Sequence, residues 1–225
     1  MYSGNSKITL ILAAAGVGKR MGLGYPKQFL EYENKPLFIK PLEVAQNNSI
    51  IDDIIVVTNL ENILLVEDYC KKYKLDKVRK VVAGGKERQD SIYNALQYDE
   101  NSDVILVQDG VRPFLKDRYI EECCRVVIEE NKGAVVGVKV KDTIKIVDRD
   151  TEVESTPKRD NLIAVHTPQA FRGKVLKKAY EKAKTENFLG TDDSSLVERL
   201  GEKVKVVLGD YDNIKITTQE DLKFL

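Results

Sequence analysis

The sequence predicts an α/β fold, a Rossmann-like, mostly parallel sheet with helices on both faces, plus a protruding β-hairpin arm. Three observations lead there. Short runs rich in Val and Ile alternate along the chain with stretches of helical periodicity. Most of those runs are apolar throughout, as strands buried on both faces must be. A glycine-rich, basic segment at residues 12–27 follows the first run, at the kind of strand end where a backbone can approach an anion closely.

The strand candidates are residues 8–14, 54–58, 80–83, 104–108, 133–138 and 203–208. Between them, residues 36–47, 61–73, 88–98 and 116–131 read as helices. In the last of these, Ile120, Cys123, Cys124 and Val127 recur at helical spacing and form one buried stripe. Residues 142–167 break the rhythm, because two strand-like runs, 143–147 and 162–167, flank an acid-rich polar stretch. An insertion at about 141–167 accounts for this, either as a surface hairpin or as an arm that reaches a second subunit. No internal repeat or low-complexity linker divides the chain, so residues 1–225 read as a single domain carrying that insertion.

Composition sets the limits on function. With 42% hydrophobic and 32% charged residues, the chain is globular in character and not disordered. Its 36 basic residues balance 36 acidic ones, so the chain as a whole makes no electrostatic case for nucleic acid or an anionic membrane. Attraction for a polyanion must come from local clusters. The apolar run at 8–15 ends in Ala13-Ala14-Ala15, which mimics a signal-peptidase site. The run is short, however, with only Lys7 just before it and Gly16-Val17-Gly18-Lys19-Arg20 after it, so an interior strand is the better reading. No stretch is long enough to span a membrane. The cysteines, Cys70, Cys123 and Cys124, are odd in number and have no histidine near in sequence. That argues against a disulfide framework or a zinc site and suits a reducing cytoplasm.

Three chemistries compete for the segment that runs from Ala13 through Gly16, Gly18, Lys19 and Arg20 to Gly22. A Walker A loop requires Ser or Thr after its Gly-Lys, and here Arg20 follows Lys19. A dinucleotide site expects an acid at the end of the second strand, where this chain has Thr58-Asn59. No Tyr-x-x-x-Lys pair of an oxidoreductase sits in a suitable helix either. The third reading adds Pro26-Lys27-Gln28: a loop that offers Arg20 and returns with Lys27 places two cations on a triphosphate from different sides.

That segment resembles the nucleotidyltransferases that activate sugars and alcohols. Further motifs follow in order: residues 83–91 (Ala-Gly-Gly-Lys-Glu-Arg-Gln-Asp-Ser), 107–114, 141–145, 167–171, 190–193 and 212–217. Together they resemble the 2-C-methyl-D-erythritol 4-phosphate cytidylyltransferase family over nearly the whole chain. The resemblance implies transfer of a cytidylyl group from CTP to a polyol phosphate, with release of pyrophosphate and with Mg²⁺ as the divalent metal, in the non-mevalonate route to isoprenoid precursors. The attacking phosphate oxygen is largely ionised at neutral pH, its second pKa being about 6, so no general base is required and His166 need not be catalytic. Cations must instead neutralise the five-coordinate phosphorus and the leaving group.

By the same resemblance Arg20, Lys27, Arg159 and Lys215 carry catalysis. Ala13, Ala14, Ala15, Gly16, Gly18, Gly85, Lys86, Ser91 and Asp109 bind the nucleotide, with the turn around Gly85 and Ser91 reading the pyrimidine. The family pattern has Asp where this chain has Lys86. Asp109, Gly110, Arg112, Thr143, Arg159, Thr167, Thr191 and Lys215 are implied to bind the polyol phosphate. Of these, Thr143 and Arg159 lie on the arm, which swaps between subunits of a homodimer in the family. The metal ligands are unassigned, the triphosphate supplying most of them with help from Asp109 or Asp212. Ribitol 5-phosphate cytidylyltransferases share most of the motifs, and a non-catalytic nucleotide sensor is the alternative from another class. Asp109 and Arg88 have plainer readings too, as a helix cap before Pro113 and as a solvated side chain.

Overall fold

A computed structural model describes residues 6–16 and 25–225. Strand β1 (Ile8–Ala14) is followed by a small ribbon, β2 (Glu31–Tyr32) and β3 (Lys35–Pro36), then α1 (Ile39–Asn47) and β4 (Asp53–Thr58). Next come α2 (Ile63–Lys72), β5 (Val78–Ala83), α3 (Arg88–Leu96), β6 (Val104–Asp109), α4 (Asp117–Glu129) and β7 (Gly133–Lys139). The arm strands β8 (Ile146–Val147) and β9 (Val153–Ser155) precede β10 (Ile163–Arg172), α5 (Gly173–Thr185), α6 (Asp193–Glu198) and β11 (Val204–Leu208).

Seven strands form one sheet in the order β11-β7-β10-β6-β1-β4-β5. Only β10 runs against its neighbours, β6 and β7; every other pair is parallel. Both faces are covered, which is why the strands lack polar alternation. Leu10, Leu12, Ile54, Val56 and Leu106 point to a core shared with α1, α2 and α4. Ile11, Ile55, Val57, Ile105 and Val107 point to a second core with α3, α5 and α6. The α4 stripe is as its spacing predicts: Ile120, Cys123, Cys124 and Val127 have no exposed surface, and all three cysteines are free thiols.

The chain runs outward from β1 to β4 and β5, then returns to the other side of β1 for β6. The carboxyl ends of β1 and β6 therefore splay into a crevice at the point where the winding reverses, with Ala13 opposite Asp109 across the ladder. That topology positions the site.

The structure differs from the sequence reading in several places. Residues 162–167 are not the second strand of the arm. They begin β10, whose first residues pair with β7 and whose last pair with β6 deep in the main sheet. The hairpin proper is β8 against β9, and it is exposed along its length. Helix α1 starts three residues later than expected, because Pro36 is held in the ribbon opposite Glu31. Two helices lie where the sequence reading has none. In α5, Leu176, Ala179, Tyr180 and Ala183 do fall on one buried face, but two of the four are small alanines among many lysines. Helix α6 is only six residues long. Residues 214–216 lie outside helix and strand, and Ile216 anchors that segment by donating to the Val111 carbonyl (2.9 Å).

Truncating the α4 stripe tests this packing. Ile120→Ala is expected to lower the unfolding free energy by about 2–5 kcal/mol. Leu64→Ala, at a side chain 74% exposed, should change it by less than about 0.5 kcal/mol. Urea unfolding followed by circular dichroism compares the two.

Candidate active site

A cavity of about 430 Å³ opens at the reversal point, between the end of β1, the turn into α3 and the end of β6. Ala13, Ala14, Ala15 and Gly16 form one wall. Their backbone is pinned from behind: the Gln28 side-chain amide (2.7 Å) and the Thr58 hydroxyl (3.4 Å) both donate to the Ala14 carbonyl. Gly110 donates to the Ala13 carbonyl (2.9 Å), and a Cβ there would stand 3.1 Å from that oxygen. A side chain there would crowd the approach of β6 to β1. Lys27, on a single 3-10 turn at Lys27–Phe29, is largely buried and lines the same cavity.

The opposite wall is the turn from β5 into α3. Gly84 donates to the Thr58 carbonyl (2.7 Å), and a Cβ on it would lie 2.6 Å from the Cβ of Ala15. Gly85 donates to the Ser91 hydroxyl (3.0 Å), which in turn donates to the Glu87 carbonyl (3.0 Å). Glu87 and Asp90 complete a reciprocal cap on α3. Ser91 is thus buried and stitches the turn instead of facing solvent, and its oxygen has acceptor capacity to spare. Lys86 is exposed on the cavity rim.

Asp109 forms the floor. It is 6% exposed, and its carboxylate meets Lys215 Nζ at 2.9 Å, Arg88 Nε at 3.2 Å and Arg112 Nε at 3.5 Å. Burial alone would raise its pKa, but Arg88, then Lys215 and Arg112, outweigh burial and hold the carboxyl well below the usual range. It is an ion-pair hub and not a helix cap. Arg88 also makes a forked pair with the fully buried Asp193 (3.1 and 2.8 Å), which accepts from the Tyr180 hydroxyl as well. Burial works against the Arg88 charge, yet Asp193 and Asp109 together push its pKa well up. Arg112 lies behind Asp109 and donates to the Asn213 carbonyl (2.7 Å). Burial lowers its pKa, with Asp109 opposing.

The polyol-site candidates divide. Thr167 accepts from the Asp109 backbone N–H (3.1 Å), and Asn213 donates to the Thr167 carbonyl (2.9 Å), so Thr167, Arg112 and Lys215 gather around Asp109. Thr191 is exposed in the loop before α6. Thr143 and Arg159 are exposed on the arm, where Arg159 donates to the Lys141 carbonyl (2.9 Å), and neither lines the cavity. Gly18 and Arg20 lie outside the described residues. Sequence reasoning missed the roles of Gln28, Asp193, Tyr180 and Gln169. It also left Arg88 open to a solvated reading, although this residue joins the α3 turn to β6 and α6. The signal was present, since Arg88 and Asp193 each stand inside one of the motifs, at 83–91 and 190–193.

The described residues hold no cluster of three or more His, Cys, Asp or Glu able to cage a metal. Asp109 is already shared by three cations, and Asp212 is paired with Lys116 at 2.7 Å. These residues do not fit a protein-held ion. No described helix is long and apolar enough to cross a membrane.

A family model described as 2-C-methyl-D-erythritol 4-phosphate cytidylyltransferase matches residues 8–224. A protein of that name from Fusobacterium nucleatum is 54% identical over 230 residues, covering 100% of each chain. Another, from Alkaliphilus metalliredigens, is 49% identical over 96% of this chain and 90% of its own. The crystal structure of 4-diphosphocytidyl-2C-methyl-D-erythritol synthase from Anaerococcus prevotii matches with a TM-score of 0.85 at 37% identity, covering 97% of this chain and 94% of that one. The Francisella tularensis 2-C-methyl-D-erythritol 4-phosphate cytidylyltransferase matches at 0.81 and 29%, covering 97% and 98%.

His166, beside this cluster, makes a pH prediction. Burial, helped by the Arg112 charge, pushes its pKa from 6.5 down to about 4. Between those values the unfolded chain binds a proton that the folded chain refuses, so folding stability should fall as pH drops from 6.5 towards 4. His166→Gln is expected to flatten that part of the profile, measured by urea unfolding at pH 7 and pH 5. An unchanged slope would assign it to other groups.

Proposed function

The chain belongs to the 2-C-methyl-D-erythritol 4-phosphate cytidylyltransferase family and is a cytidylyltransferase; we propose that the reversal-point cavity holds CTP with its phosphates directed towards Lys27 and Lys215. The acceptor is 2-C-methyl-D-erythritol 4-phosphate, and the product serves isoprenoid precursor synthesis. The observation that carries the site assignment is the convergence of Lys27, Arg88 and Lys215 with a glycine-rich backbone on one cavity at the carboxyl ends of β1 and β6.

The chemistry suits these groups. An oxygen of the acceptor phosphate attacks the α-phosphorus of CTP, the bond from that phosphorus to the bridging oxygen breaks, and pyrophosphate leaves with the electron pair. No proton has to be removed from the nucleophile, and His166, kept neutral at pH 7, is not needed as a base. The protein must hold two polyanions together, and fixed cations in a partly enclosed site do this. Arg20 and Lys27 stabilise the transferring phosphoryl group in this reading. Mg²⁺, which these residues do not cage, would be held by the triphosphate, and the chemistry it would supply is charge neutralisation.

The arm supports a homodimer. Ile144, Ile146, Val147 and Val153 are exposed on it, and Val165 and Leu208, which both pair with Gly137 of β7, expose a second apolar area with Val206. Surfaces of this kind mark association. Thr143 and Arg159, which do not line their own cavity, then act on the acceptor phosphate of the partner. The proposed location is the cytoplasm, whose reducing conditions suit three free thiols.

Pyrophosphate release tests the function. With CTP and Mg²⁺, methylerythritol phosphate should support turnover. Ribitol 5-phosphate should be at least about a hundredfold poorer in kcat/KM, because a site built to hydrogen-bond one polyol leaves its polar groups unpaired with another. Reversed preference would make this a ribitol phosphate enzyme, and no release with either would leave a nucleotide sensor. The arm is tested separately. Arg159→Ala should lose most activity with CTP affinity within about twofold, because the guanidinium removed serves the acceptor. Dimers mixed from Arg159→Ala and Arg20→Ala chains should recover activity, and no recovery would refute action in trans.

A further inference from the structure

The first turn of α3 faces two ways. On one side its approach, from Gly85 to Ser91, walls the nucleotide cavity. On the other, Arg88 and Gln89 grip the loop between α5 and α6, about a hundred residues away in sequence. Gln89 uses both ends of its amide there: the nitrogen donates to the Phe188 carbonyl and the oxygen accepts from the Gly190 N–H, each at 2.9 Å. Arg88 takes the far end of the loop through its forked pair with Asp193. Thr191 lies between these two anchors.

Among the described residues, nothing else of comparable strength ties this loop to the nucleotide side. Its other tether runs to β10, where Gln169 donates to Asp192 (2.9 Å) and accepts from the Ser194 N–H (3.0 Å). This forked pair, with Asp193 fully buried and 32% of the Arg88 side chain still accessible, is a poor way to gain stability because the carboxylate loses its water. Its planar, two-pronged geometry does fix orientation, however, and a side-chain amide bonded at both ends to backbone does the same.

We infer that Arg88 and Gln89 are positioning residues that lock the acceptor-side loop carrying Thr191 to the nucleotide-side turn, so that CTP in the cavity orders the loop that receives the polyol phosphate. This rests on the cytidylyltransferase reading for its substrates, but the mechanical link does not. CTP contacts ordering residues 85–91 are transmitted through two side chains to residues 188–193. The acceptor site is complete only when the nucleotide wall is set.

Gln89→Met, which keeps the length of the side chain and removes both hydrogen bonds, is the direct test. Removing two hydrogen bonds corresponds to roughly tenfold, so KM for methylerythritol phosphate should rise by about that factor. The Kd for CTP and the thermal midpoint should stay close to wild type. In a Thr191→Ala background the same substitution should add less than about twofold, because both act through one loop. Hydrogen–deuterium exchange supplies a readout independent of turnover: CTP alone should slow exchange at residues 188–192 in the wild type and leave them unchanged in Gln89→Met. Arg88→Lys, which keeps the charge and loses the fork, should weaken the same protection. Equal rises in KM for both substrates, full multiplication of the two substitutions, or no CTP-dependent protection in the wild type would each overturn the link. Absence of wild-type pyrophosphate release would instead refute the function, with the exchange result still deciding the link.

Discussion

A carboxylate buried at a strand end remains charged only if cations come to it, and Asp109 draws three, Arg112 from three residues on and the other two from distant parts of the chain. Arg88 arrives from the start of α3, Arg112 from the turn after β6 and Lys215 from a loop near the C-terminus. Each of those segments would otherwise be free to sit elsewhere on the surface. Satisfying one charge therefore fixes the relative placement of the turn that walls the nucleotide cavity and the segments around Thr167. Topology does the rest, since the reversal of winding beside β1 leaves a crevice where these groups meet.

The same cluster sets the sign of the field. Arg88, Arg112 and Lys215 bring three positive charges against the two negative charges of Asp109 and Asp193. The excess is positive before Lys27 is counted, and the cavity lined by Lys27 and Lys215 has low-dielectric walls that preserve it. Lys215 is the most exposed of the three cations around Asp109, with 37% of its side chain accessible, so it is the one most open to the cavity's solvent. Arg112, nearly enclosed and bonded to the Asn213 carbonyl, is better placed to keep Asp109 and the Thr167 segment in register. Division of labour among like charges thus follows from depth.

Much of this was legible in the sequence, and what was missed has physical reasons. The six strands read from apolar runs all occur; in β1, β4, β6 and β7 burial on both faces leaves a near-continuous apolar run, while the edge strands β5 and β11 keep theirs although partly exposed. The α4 stripe was equally plain. The α5 stripe was not, since Ala179 and Ala183 carry little hydrophobic weight among lysines. Residues 162–167 looked like half of a hairpin because their partner, β7, lies on the far side of the whole insertion, and a strand run alone does not state what it pairs with. Arg88 shows the same limit at the level of a side chain. Its motif marked a turn at a nucleotide site, while its role depends on Asp193, 105 residues away. Position in a motif is local information; an ion pair across the fold is not.

A transfer between two phosphates asks little of acid–base chemistry and much of placement, and the fold is organised accordingly. The only histidine is held neutral beside Arg112, and the buried thiols serve as core filler, Cys70 with its pKa pushed up to about 11 by burial. The charged groups, in contrast, are tied to rigid elements: Asp109 to the end of β6, Arg88 and the Ser91 stitch to α3, and Asp193 to the start of α6. Electrostatic stabilisation loses its value if the cations must reorganise when charge develops. Holding Arg88, Arg112 and Lys215 on a carboxylate that is itself anchored to a strand end removes that cost in advance. Arg88, bridging the buried carboxylates of Asp109 and Asp193, shows the arrangement most clearly.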